Sequence, residues 1–180
     1  YLATLPLTPY VAQFLPKALP IVVLAVFAYT KLSAMPRYMV LAALLFSLAG
    51  DVSLALPFAD SFITGLACFF VAHLTYAMCF ALLHRRLQET PGDHIISRKP
   101  KWFISIIMIS FAVMMAVHIL PASKALFYPV VAYISVITLM GLTAVWLAQT
   151  KLIVTGALFF VISDAILAQS VFKTPLPLST

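Results

Sequence analysis

The sequence predicts an all-α, polytopic transmembrane bundle of about six helices. Three observations predict it. The 180 residues are 64% hydrophobic and 9% charged, with a mean hydropathy of +1.11. That leaves too little polar surface to clothe a water-soluble domain of this length. Apolar runs of the length a bilayer requires, roughly 20 residues, recur along the whole chain. Basic residues gather in the short polar intervals between those runs, the charge pattern by which membrane proteins orient themselves.

The first span is expected from about Pro9 to Thr30. Thr8 offers an N-cap and Pro9 suits the first helical position. Pro16 and Pro20 should bend this span. The second runs from about Arg37 to Leu56 and is ended by Pro57, and the third from about Ser61 to Leu83. The fourth is expected from about Trp102 to Leu120, ended by Pro121. The fifth covers about Ala125 to Ala148, with Pro129 in its first turn, and the sixth about Leu152 to Phe172.

Residues 84–101 are read as a basic loop within one transmembrane domain, carrying Arg85, Arg86, Arg98, Lys99 and Lys101. The positive-inside rule makes this loop cytoplasmic, and alternation of spans brings Lys31, Arg37 and Lys151 to the same side. Only Lys17, Lys124 and Lys173 then fall outside. The formal charge of +6 is thereby explained by topology, and no aromatic-basic interleaving points to nucleic acid. The expected location is an integral, multi-pass one, in a bacterial cell membrane or, in a eukaryote, the endoplasmic reticulum. Cys68 and Cys79, eleven residues apart on one helix, are separated by about 16 Å and cannot bridge each other. They belong to no metal-ligand pattern.

Two carboxylates demand explanation. Asp60, Glu89 and Asp93 fall in expected loops, but Asp51 and Asp164 stand inside apolar spans. A charged aspartate at a helix centre costs roughly 2.5 to 3.5 kcal/mol on insertion scales, so such a residue should face protein or a wet cavity. The two surroundings echo each other: Phe46 and Phe159 each precede the aspartate by five residues, and Leu54-Ala55 and Leu167-Ala168 each follow it. Both aspartates are expected in the outer half of the membrane. His73 descends the third span to nearly the same zone, with Tyr76 on its face one turn away. Ser47 is placed to reach Asp51 from four residues before it. Ser163 adjoins Asp164 but points about 100° away. Tyr133 sits in the fifth span, with Met140 two turns below on the same side. Lys17 is the one basic residue inside a span that could serve as a positive partner. His118 is read as an interfacial residue.

Paired membrane carboxylates suit acid–base work, one protonated and one ionised. No Gly-x-Ser-x-Gly elbow, convincing Ser-His-Asp order or zinc-type His cluster is present. Such a pair favours acid-labile bonds that cleave through an oxocarbenium ion, the transition state glycosidases stabilise with carboxylates. Aspartates at depth also build proton relays, so a proton-coupled transporter of small lipids or amphiphiles, or a protein that only binds them, is the alternative.

The stretches "FSLAGDVSLAL", "GLACFFVAHLTYAMCF", "YPVVAYISVITLM" and "GALFFVISDAILAQSVF" resemble the YhhN-like membrane family, which includes the lysoplasmalogenases. "PKALP", with Lys17, is similar to the start of that family's second helix. The resemblance implies an eight-helix pattern, of which the first and last helices are expected to be missing here. It implies hydrolysis of the vinyl ether bond of lysoplasmalogens to a fatty aldehyde and a glycerophospho-ethanolamine or -choline. No cofactor or metal is implied; the partners are the lysophospholipid substrate and membrane lipids. Asp51 and Asp164 would be catalytic, with Asp51 favoured as the acid. Lys17, His73, Tyr76, Tyr133, Ser47 and Ser163 would support or bind substrate, and Phe69, Phe80 and Phe160 would wall the lipid chain.

Overall fold

The computed structural model describes residues 14–32, 34–56, 59–88, 98–147 and 151–173. These residues are all-α, with no strand among them. Six α-helices follow one another: α1 (Phe14–Lys31), α2 (Ala34–Ala55), α3 (Ser61–Gln88), α4 (Arg98–Ser123), α5 (Phe127–Leu147) and α6 (Lys151–Lys173). A 3-10 turn, Lys124–Leu126, joins α4 to α5. Among the described residues, three helical stretches are long and apolar enough to cross a bilayer: Met35–Ala55, Ser61–Arg85 and Pro100–Leu147. The last is 48 residues long and holds α4, the turn and α5, enough chain for two crossings.

The helices follow the expected order, and the differences in their ends have physical causes. α4 runs through Pro121 to Ser123 instead of stopping before the proline. In a last turn, proline forfeits one hydrogen bond without needing to break the helix. Arg85 and Arg86 lie in α3, and Arg98, Lys99 and Lys101 in α4, not in a loop. Lysine and arginine are good helix formers, and helices outlast their apolar stretch. Pro20 lies inside α1, and Pro16 in its first turn. The expected Thr8-Pro9 cap, Pro57 and residues 89–97 lie outside the described residues.

The chain divides into two compact units, Tyr1–Cys79 and Phe80–Thr180. In the first, α1 packs on α2. Arg37 fastens their junction: its Nε and Nη2 donate to the Leu32 carbonyl at 2.9 and 2.8 Å, and its guanidinium lies 5.2 Å from the Tyr29 ring centre. A carbonyl left over at the end of α1 is thereby satisfied. α2 and α3 run antiparallel at close range. A Cβ at Gly50 would lie 2.7 Å from the Phe69 ring, and one at Gly65 would lie 2.8 Å from Leu54 Cγ. Only glycine admits the ring so near the α2 backbone.

In the second unit α4, α5 and α6 pack against one another. α5 buries a stripe at helical spacing: Val130, Tyr133, Val136 and Ile137, Met140 and Gly141, then Ala144 and Val145. Gly141 marks where the three helices converge, since a Cβ there would meet Met108 Sδ of α4 at 2.6 Å and Val161 of α6 at 3.6 Å. Lys124, at φ 42°, takes the left-handed backbone that turns α4 back into α5. The far end of this hairpin is tied by three polar contacts. Lys101 Nζ donates to the Trp146 carbonyl (3.2 Å), Trp146 Nε1 to Ser105 Oγ (2.9 Å), and Ser105 Oγ to the Lys101 carbonyl (2.9 Å). Trp102 stands edge-on to Trp146 with ring centres 5.0 Å apart.

Candidate active site

Asp164 is buried in the middle of α6, 8% exposed, among residues that are otherwise apolar. The Tyr133 hydroxyl of α5 donates to its Oδ2. The bond joins two helices whose facing surfaces are otherwise apolar, so each polar group there needs the other. Tyr133 reaches it because α5 turns its Val130–Tyr133–Ile137–Met140 stripe inward, with Met140 buried on the same side, as expected. Ser163 is exposed, consistent with its 100° offset, and takes no part in the pair. Phe160, the expected wall residue, is half-buried, while its neighbour Phe159 is 68% exposed.

Asp51 lies in α2 of the first unit and is half-buried. One turn before it, Ser47 is buried, and its Oγ has no hydrogen-bond partner, so the expected Ser47–Asp51 contact is not made. Tyr76 of α3 is half-buried. His73 is fully buried, the most enclosed polar side chain of α3. The pairs Gly50–Phe69 and Leu54–Gly65 fix the antiparallel register, and it sets Asp51 near the level of Cys68 and Phe69. His73 therefore stands about one turn of α3 away along the axis. Phe69 is buried against Gly50, and Phe80 is half-buried at the start of the second unit's share of α3. Lys17 belongs to α1, and its side chain lies outside the described residues. Cys68 and Cys79 are both free thiols.

The structure also contains a feature that the sequence pattern did not single out. A groove of about 550 Å³ opens between α4 and α6, lined by Met114, Met115, Val117, His118 and Gln169. His118 is exposed, in keeping with an interfacial place, but it shares this groove with Gln169. The signal available beforehand was weak: two methionines and a histidine at i, i+1 and i+4 on one helix face, and a glutamine near the end of a span. Among the described residues, no cluster of three histidines, cysteines or acids is arranged to hold a metal ion.

No curated protein and no solved structure matches the chain. The YhhN family model matches residues 12–180, nearly the whole sequence, and takes in both aspartate-bearing helices. A buried carboxylate held by a tyrosine, in an all-α chain with long apolar helices, accompanies that match. The chain belongs to the YhhN family.

Proposed function

We propose that this protein is an integral, multi-pass membrane hydrolase that cleaves the vinyl ether bond of lysoplasmalogens. The observation that carries the reading is the buried Asp164, bonded by Tyr133, in a chain of the YhhN family. Membership fits the lysoplasmalogenases, and the site offers carboxylate chemistry without a nucleophilic serine elbow. The basic ends of α3 and α4, with Arg85 and Lys101, face the cytoplasm in this reading.

The chemistry uses two carboxyls in unlike settings. Asp51, protonated, delivers its proton to the vinyl carbon distal to oxygen. The double bond's electrons form the new C–H bond, and the oxygen lone pair makes an oxocarbenium ion. Asp164 serves as the ionised partner, since a carboxylate accepts a stronger hydrogen bond from Tyr133 than a carboxylic acid does. Its charge stabilises the cation and it takes a proton from the attacking water, giving a hemiacetal. The C–O bond to glycerol then breaks as the hemiacetal hydroxyl gives its proton to Asp51 and becomes the aldehyde carbonyl, and the departing oxygen takes the proton that Asp164 had gained from water. One water is consumed and both carboxyls regain their starting states.

The test is aldehyde release by the purified protein in detergent. A hydrolase turns over lysoplasmalogen with no membrane gradient. A transporter, or a protein that only binds the lipid, releases no aldehyde, and that result would reject the reading.

A further inference from the structure

We propose that the α4–α6 groove holds the phosphate-bearing end of the lysolipid, while the reactive bond lies at the level of Asp164. This deepens the hydrolase reading and rests on it for the identity of the lipid. The groove itself gives the chemistry. Met114, Met115 and Val117 line it with apolar surface, Met114 and Val117 being largely exposed, while His118 and Gln169 offer hydrogen-bond donors. Asp164 is the only carboxylate among the described residues of this unit, and it is buried in α6 rather than among the residues that line the groove. Lys124 is exposed just beyond the end of α4, where its charge offsets the partial negative charge of the terminal carbonyls.

Distance supplies the second argument. Gly141 approaches Met108 of α4 and Val161 of α6 together, so those two residues share a level. α4 and α6 each run antiparallel to α5, and therefore parallel to each other. On this register Gln169 stands level with Ala116, in the middle of the groove. It lies five residues beyond Asp164, or about 7.5 Å along the axis. In a lysoplasmalogen six bonds separate the vinyl ether carbon from phosphorus, and at about 1.5 Å each they zigzag to roughly 7 Å. A lipid with its phosphate at His118 and Gln169 thus carries its vinyl ether to the depth of Asp164.

The experiment is a binding titration of the full chain in detergent, independent of turnover. Two lipids of equal chain length are compared: a saturated 1-O-alkyl lysophosphoethanolamine, which cannot be hydrolysed, and the matching 1-O-alkyl glycerol. His118→Leu and Gln169→Leu are expected to raise the Kd of the phosphate-bearing lipid about tenfold, as for the loss of a hydrogen bond to a charged group. The Kd of the alkyl glycerol is expected to stay the same. Gln169→His, which keeps a donor, is expected to retain most of the affinity. Both positions are exposed, so the variants should keep the thermal midpoint of the parent. An equal loss for both lipids, or no loss for either, overturns the proposal. Failure of the hydrolase reading would show separately, as absent aldehyde release from vinyl ether lipid by the parent protein.

Discussion

Asp51 and Asp164 occupy nearly the same sequence frame and different physical settings. Each follows a phenylalanine by five residues and precedes a Leu-Ala pair. Yet Leu54 packs against the Gly65 backbone, whereas Leu167 is 37% exposed. Asp164 is buried and takes the Tyr133 hydroxyl, while Asp51 is half-buried, one turn from a buried serine that does not bond it. The shared pattern fixes where a carboxylate sits along a helix. What the helix packs against decides how enclosed that carboxylate is, and in the proposed mechanism unlike enclosure lets two identical groups divide the roles of acid and base.

The strongest way to break this comparison is to remove the charges singly. Asp51→Asn and Asp164→Asn are each expected to lower aldehyde release by about 10² or more, the usual range for losing a positioned acid or base. The measurement is a kcat determination in detergent, with a thermal melt to confirm folding. Full activity in Asp51→Asn would leave Asp164 to act alone and end the division of labour.

A sharper probe is Tyr133→Phe. It leaves the ring in the α5 stripe and deletes only the donor to Asp164. The expected result is about a tenfold fall in kcat with KM little changed, since in the proposed mechanism the tyrosine positions the base rather than the lipid. The stability change should be small, about 0.6 kcal/mol, the average for hydrogen bonds between membrane helices. A large change in melting with unchanged kcat would make the pair a structural clasp. The smallest effect is expected at Ser163→Ala. Ser163 is exposed next to Asp164, and its loss should alter kcat by less than about twofold, within the range of ordinary surface changes.

The helices were legible because apolar length and punctuating polar residues are properties of the chain itself. The six elements appear in the expected order, and the main errors lie at their ends. Pro121 was expected to end α4, but a proline forfeits a single bond, which the last turn can absorb. The basic residues near Arg85 and Lys101 were expected in a loop, yet charge marks where apolar sequence stops and not where helical backbone stops. The Asp164–Tyr133 bond was half legible. Both residues stood out as polar groups inside spans, but the bond needs α5 rotated so that Tyr133 faces α6, and two residues 31 positions apart do not encode that rotation alone. The groove was not legible, because it is lined from two helices, α4 and α6, whose facing surfaces are set by packing. The expected Ser47–Asp51 contact fails for a related reason: the i, i+4 relation is visible in sequence, whereas the packing that leaves Ser47 Oγ buried without a hydrogen-bond partner is not.

The tie between Lys101, Ser105 and Trp146 has a spectroscopic consequence. The chain has two tryptophans, and both stand in this one cluster, 5.0 Å apart at the base of the α4–α5 hairpin. Intrinsic tryptophan emission therefore reports on that single corner. Loosening of the α2–α3 pair would pass unseen in such a trace, and unfolding followed by this light alone would describe the hairpin, while half the chain changed in the dark.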